Sequence, residues 1–174
     1  MSPVAHSGLG LLGWRLFDRK QTVGTLFLYL LIANAADVDF LLHAVFRDRA
    51  VFIHQYYTHN LPFVLAVSLG FMFLLRDGPS RWGLVLTGIS HLAADVIVVD
   101  TLKPVGIRLF FPISGVFYNL PWFPFLQRGA WKEMVTLRNL AVLGLEFGIF
   151  VLPVLLLFPK SLWKRFGSSA FWKV

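Results

Sequence analysis

Ile89-Ser90-His91-Leu92-Ala93-Ala94-Asp95 lies deep inside an apolar stretch that runs from Arg81 to about Asp100, and it decides how this chain is read. A second run, Asn34-Ala35-Ala36-Asp37-Val38-Asp39, closes another apolar stretch. Ionisable groups at membrane depth are costly, so by default they mark a functional site whose partner must be found. The partners at hand are His6, His43, His54 and His59, and the chain has no cysteine. That set reads as a metal site made of nitrogen and oxygen ligands.

Composition sets the environment. At 174 residues the chain is one domain by length. It is 57% hydrophobic and 14% charged, with a mean hydropathy of +0.69, whereas soluble domains carry roughly a quarter charged residues. An integral membrane protein is expected. The net charge of +7 is spread between apolar runs rather than gathered on one face, which speaks against nucleic acid as a partner. In the tail, residues 159–174, Lys160, Lys164, Arg165 and Lys173 alternate with Trp163, Phe166, Phe171 and Trp172. That interleaving suits a segment lying against anionic lipid headgroups. No basic residue precedes Arg15 and no cleavage site stands out, so no signal peptide is expected.

Five apolar segments follow one another. The first, about Val4 to Phe17, is short and closed by Arg15, Asp18, Arg19 and Lys20. Thr22 to about His43 and Arg81 to about Asp100 approach the roughly 20 residues that cross a bilayer. Another begins at Thr58-His59-Asn60-Leu61-Pro62, where Thr58 or Asn60 can cap and the proline suits the first turn. It stops at Arg76-Asp77-Gly78-Pro79. The last span, about Val135 to Phe158, is the cleanest, apart from Glu146 and Pro153. These segments predict an all-α, polytopic membrane bundle of about four spanning helices plus a short N-terminal helix. Between the last two spans, Arg108 to Trp131 holds Pro112, Pro121, Pro124 and eight aromatic residues. It reads either as a re-entrant segment roofing a cavity or as an aromatic belt at the headgroups. Asp18, Asp48 and Asp77 stand beside arginines and read as solvated loop charges, while Glu146 is expected to find a partner inside the bundle.

Alternating helix directions bring the ionisable residues to one side. Asp37, Asp39 and His43 end one span, and His54 and His59 lead into the next. His91 and Asp95 occupy the returning half of their helix, and His6 joins them if the first helix runs antiparallel to the second. His91 and Asp95, four apart, share a helix face and can point at one ion. Asp37 and Asp39 are two apart, so both can reach one ion only where the helix end unwinds. Otherwise one ligates and the other supports it.

The order of these motifs is recognisable. Ala5-His6, Asp37-Val38-Asp39, His54-Gln55-Tyr56-Tyr57-Thr58-His59-Asn60, Ser90-His91-Leu92-Ala93-Ala94-Asp95 and Pro104-Val105-Gly106-Ile107-Arg108-Leu109-Phe110-Phe111-Pro112 occur in sequence. From about His6 to Ser114 the chain resembles the LexA-binding, inner-membrane-associated, metal-dependent hydrolases. Members of that family look like membrane relatives of zinc-dependent phospholipase C and the P1-type nucleases, which implies a phospholipase C-like helical core over residues 4–114. Ala36 and Phe40 replace the family's usual proline and histidine, with His43 one turn beyond. Gln55 and Asn60 replace its arginine and serine. The resemblance implies His6, Asp37 or Asp39, His54 or His59, His91 and Asp95 as metal ligands. The number of candidates argues for one or two divalent ions, zinc first, with manganese or magnesium as alternatives.

The expected activity is metal-assisted hydrolysis of a phosphoester in a lipid or lipid-linked substrate, using water activated by the ion. Whichever of Asp37 and Asp39 does not ligate can act as general base. Arg108, or Arg47 and Arg49, can hold the phosphate. The rival readings are a transporter and a metal-bearing membrane scaffold without activity. Arg15, Arg19, Lys20, Arg76, Arg81 and the basic tail oppose the site, which leans it away from the cytoplasm. Nothing in these residues points to a LexA-type contact.

Overall fold

Capping chemistry places each helix. The computed structural model describes residues 1–39, 55–99, 105–123 and 136–157, in which the regular elements are helices with no strand among them. Helix α1, Pro3–Phe17, starts at Ser2, whose hydroxyl accepts from the Val4 N–H. Helix α2, Val23–Ala33, starts in a capping box between Thr22 and Thr25. Helix α3, Leu61–Met72, is capped by Asn60, whose side chain accepts from the Phe63 N–H at 2.8 Å, with Pro62 in the first turn. Helix α4, Gly78–Val96, is capped by Asp77 and has Pro79 in its first turn. Helix α5, Leu137–Leu156, follows Thr136 and widens to a π turn over Phe147–Val151. That turn lies just before Pro153, which cannot donate to the Ile149 carbonyl.

Two expected segments are shorter than their apolar runs suggest. Helix α2 stops at Ala33 rather than near His43, because Asn34 leaves helical geometry at φ −111 and ψ 7. Its side chain donates to the Leu30 carbonyl at 2.8 Å and to the Ser7 hydroxyl at 3.2 Å. A 3-10 turn over Ala35–Asp37 follows. Helix α3 has 12 residues, a length of about 18 Å against a hydrocarbon core of about 30 Å. Among the described residues, Leu137–Leu156 is the helix long and apolar enough to cross a membrane, with Val23–Ala33 and Leu61–Met72 as shorter apolar helices.

The short N-terminal helix turns out to be central. Helix α1 packs on α2, α4 and the π turn of α5, and α4 also packs on α3. Close approach rests on glycines. A Cβ on Gly10 would lie 2.8 Å from Ala33 Cβ and 3.0 Å from the Tyr29 carbonyl oxygen. Trp14, Leu28, Tyr29, Ile32, Leu75, Leu84 and Val154 form the largest buried apolar cluster.

At the end of the bundle away from His91, Asp18 corrects its reading as a solvated charge. It is 3% exposed and accepts from the Lys20 and Gln21 N–H groups and from the Thr25 and Ser80 hydroxyls. Burial without water requires such partners. The Ser80 hydroxyl on Asp18 ties the α1–α2 turn to the start of α4, and Tyr29, within α2, donates to the Ser80 carbonyl at 2.8 Å. Asp77 is on the surface. Its slight burial would raise its carboxyl, but hydrogen bonds from the Ser80 N–H and hydroxyl outweigh this and hold it below its ordinary value.

The aromatic, proline-rich segment lies across the other end. Ile107 and Tyr118 exchange N–H···O bonds of 3.0 and 2.9 Å. Gly106, at φ +91, permits this, since a Cβ there would lie 2.9 Å from the Tyr118 carbonyl carbon. Leu109 accepts from the Leu61 N–H at 2.9 Å, and Leu120 and Trp122 donate to Val96 and Ile97. Ile107 is fully buried with Ala36, Val64 and Leu92, whereas Ile113 and Trp122 are more than four-fifths exposed. The segment therefore grips the bundle with one side and presents apolar groups outward with the other. Residues 124–131 of that loop and the tail 159–174 lie outside the described residues.

Gly10→Val should destabilise the detergent-solubilised protein by about 1–3 kcal/mol. Gly70→Ala, where nothing lies within 4 Å, should leave the unfolding temperature unchanged or higher. Asp77→Ala should cost about 1 kcal/mol at neutral pH. Because the folded carboxyl titrates below the unfolded one, that stabilisation is present above the unfolded value and lost as pH falls. The difference from wild type in thermal melts should therefore shrink in acid.

Candidate metal centre

Helix α4 supplies the first pair. His91 Nε2 lies 3.2 Å from Asp95 Oδ2, one turn along the same face. His91 Nδ1 is 2.6 Å from the carbonyl oxygen of Ala33, the last residue of α2. A carbonyl can only accept, so Nδ1 carries a proton, and in the neutral ring Nε2 is the nitrogen that offers a lone pair. The early end of α2 thus has a local use, since stopping at Ala33 frees the carbonyl that orients this ring.

His6, on the first turns of α1, stacks on His91 with ring centroids 3.7 Å apart and 17° between planes. Its Nε2 is 3.3 Å from Asp95 Oδ1, but not in hydrogen-bonding geometry, and both ring nitrogens are buried without a hydrogen bond. Orphaned buried nitrogens of this kind cost about 1–3 kcal/mol each unless the N–H finds an acceptor and the other nitrogen's lone pair a donor or a cation. Asp95 also receives the amino group of Met1.

His59 enters from the turn before α3. Its Nε2 faces Asp37 Oδ1 at 3.4 Å and Asp95 Oδ2 at 3.3 Å. Its Nδ1 faces Asp39 Oδ2 and the Thr58 hydroxyl, both at 3.3 Å. The 3-10 turn at Ala35–Asp37 therefore sends Asp37 and Asp39 to opposite edges of one imidazole. Asp39 is 2% exposed and accepts from the Gln55 N–H at 2.9 Å. Gln55 itself sits at φ +69, a left-handed conformation that costs a non-glycine residue energy.

Two groups of donors have atoms within 4.8 Å of one another: His6, His91 and Asp95, and Asp37, His59 and His91. His91 belongs to both. Asp39 belongs to neither and supports the far nitrogen of His59, the usual task of a carboxylate behind a ligating histidine. Three buried imidazoles beside three carboxylates, with nitrogens of His6 and His91 lacking hydrogen bonds, fit a divalent cation. Of the residues expected at the site, His6, Asp37, Asp39, His59, His91 and Asp95 are brought together. His43, His54, Arg47 and Arg49 lie outside the described residues.

Arg108 is not among the donors. Its guanidinium lies over the rings of Tyr56 at 4.4 Å, Phe111 at 4.2 Å and Phe117 at 5.9 Å, and its Nε is buried without a hydrogen bond. Sequence reasoning did not reach the Ala33 carbonyl or the Gln55 N–H. Both are backbone groups, and no residue type announces them.

The family described as YdjM inner membrane protein matches residues 1–166. No curated protein and no solved structure matches the chain.

Elemental analysis of the purified protein should find about one or two divalent ions per chain. His91→Ala should lose the ion that ring holds, because its Nε2 is the donor common to both groups. Asp39→Asn should retain metal with affinity about 10–100-fold weaker. Wild-type stoichiometry in His91→Ala would show that the ions sit elsewhere.

Proposed function

The chain belongs to the YdjM inner membrane protein family, and we propose that it is a membrane-bound, metal-dependent hydrolase of phosphoester bonds in a lipid or lipid-linked substrate. The observation that carries this reading is the pair of buried donor groups sharing His91. With nitrogen and carboxylate donors and no thiolate, zinc suits the set best, manganese next, and magnesium least because it prefers all-oxygen sites. A divalent ion bound there would polarise a phosphoryl oxygen and bring the ionisation of a water near neutral pH.

The chain's own residues take distinct parts. His91 has one nitrogen to give, so its ion would be held either by His6, His91 and Asp95 or by Asp37, His59 and His91, and a second ion would rely on the remaining donors. Asp37 has an 18% exposed side chain, and its Oδ2 makes no hydrogen bond. That oxygen is the proton acceptor for the attacking water. Asp39, committed to His59 and the Gln55 N–H, keeps the imidazole in place rather than moving a proton itself. Arg108, already flattened against Tyr56 and Phe111, offers its fork to the phosphate with little ordering left to do.

The same reading makes the bundle polytopic, with α2, α3, α4 and α5 as its membrane helices around α1, although α2 and α3 are by themselves shorter than the hydrocarbon core. Its support is the apolar surface that those helices leave exposed, including Phe27, Leu31, Leu69, Phe71, Leu140 and Leu152, which lipid can cover. A substrate carrying acyl or prenyl chains would approach through that surface.

Metal-replete protein in mixed micelles should release phosphate or a phosphorylated headgroup from phospholipids or lipid-linked phosphoesters. A chelator should abolish this, and zinc or manganese should restore it. Asp37→Asn should lower kcat by about 10²–10⁴-fold, while Arg108→Ala should act mainly on KM. Hydrolysis absent across a phosphoester panel, with metal bound, would leave a metal-bearing membrane scaffold instead.

A further inference from the structure

Glu146 lies in the middle of α5, the most apolar long helix described, is 0% exposed, and belongs to neither donor group. A carboxylate at such a place is expensive unless it has a task and partners. It has both partners in one residue. Glu146 Oε1 accepts from the Ser2 N–H at 3.4 Å, and Oε2 accepts from the Ser2 hydroxyl. Ser2 is the N-cap of α1, so the carboxylate faces the positive end of that helix dipole. One turn on, the His6 N–H donates to the Ser2 carbonyl at 3.2 Å.

Helix α5 holds α1 at a second point. Gly8 meets Phe150 so closely that a Cβ there would lie 2.7 Å from Phe150 Cβ. His6 sits between these two fixtures, Ser2 on Glu146 and Gly8 on Phe150. The π turn Phe147–Val151 begins immediately after Glu146 and contains Phe150. Such turns recur at functional sites, where they redirect the residues they carry.

We propose that Glu146 is a positioning residue for the metal centre. It fixes the first turn of α1 through Ser2 and thereby sets the His6 ring against His91 and Asp95. This inference rests on the metal-centre reading above. It assigns α5, which contributes no donor to either group, the part of holding one ligand-bearing helix in register.

The test is zinc affinity of the full chain in detergent, by competition with a chromophoric chelator. It compares wild type, Glu146→Gln, Ser2→Ala, His6→Ala and the Glu146→Gln/His6→Ala double variant. Glu146→Gln keeps the size of the side chain but has one acceptor oxygen where Ser2 uses two. Affinity should fall by about 10–100-fold in Glu146→Gln and less in Ser2→Ala. The double variant should bind no more weakly than His6→Ala alone, because the loss passes through that ring. Cobalt-substituted Glu146→Gln should also show shifted visible absorption bands. If Glu146→Gln does not fold, Ser2→Ala and its cycle with His6→Ala carry the same comparison. Wild-type affinity in the folded variants overturns the inference and leaves the metal centre standing. So does a loss in the double variant equal to the product of the two single losses. Wild-type protein that binds no zinc overturns both.

Discussion

Buried polar groups without water govern this structure. Every ionisable side chain taken inside the bundle must find its hydrogen bonds there or leave them unmade at a cost. Asp18 meets the requirement through backbone N–H groups and hydroxyls, and Glu146 meets it through Ser2. The cluster around His91 does not meet it. Both nitrogens of His6 and the Nε2 of His91 lack hydrogen bonds, although carboxylates stand within 3.3 Å. Other buried atoms also lack hydrogen bonds, Arg108 Nε and Ser68 Oγ among them, but those of His6 and His91 stand together beside a carboxylate. That grouping, more than the identity of any one residue, is what marks the cluster as a candidate ligand set.

The helices cooperate in holding it. Helix α1 brings His6, the turn after α2 brings Asp37 and Asp39, the turn before α3 brings His59, and α4 brings His91 and Asp95. Ala36, Val64, Leu92 and Ile107 form the apolar packing beside them. Ile107 comes from the aromatic segment, so one side chain of that segment is part of the core next to the donors, while Arg108 beside it is stacked on aromatic rings. Buried anchor and stacked cation are neighbours in sequence because an extended chain alternates its faces.

Much of this was legible in the sequence, and the exceptions have physical causes. His91 and Asp95 fall on one face because four residues make about one helical turn, and a structure is not needed to see it. The proline after Asn60 marks the start of α3. The convergence of His6, Asp37, His59 and Asp95 follows from helix direction alone. The end of α2 was misjudged because apolarity continues past Asn34, whereas the backbone turns on the bonds from that one amide to Leu30 and Ser7. Asp18 was misjudged because neighbouring arginines suggest solvent, while its actual partners lie as far away in sequence as Ser80. The division of labour between Asp37 and Asp39 depends on a 3-10 turn that spacing cannot foresee. Glu146 was recognised as needing a partner, but nothing in its surroundings points to Ser2.

The knot of Asp18, Thr25, Tyr29 and Ser80 acts as a fulcrum. It joins the α1–α2 turn to the start of α4 at the end opposite the donors, so any tilt of α1 against α4 is a rotation about that point. His6 lies twelve residues up the lever from Asp18, about 18 Å. A tilt of about 5° would carry its ring about 1.6 Å, a displacement of the size that misplaces a catalytic group. The stiffness of one fifteen-residue helix, together with the hold of Glu146 on Ser2 at its far end, therefore limits how far His6 can stray from His91.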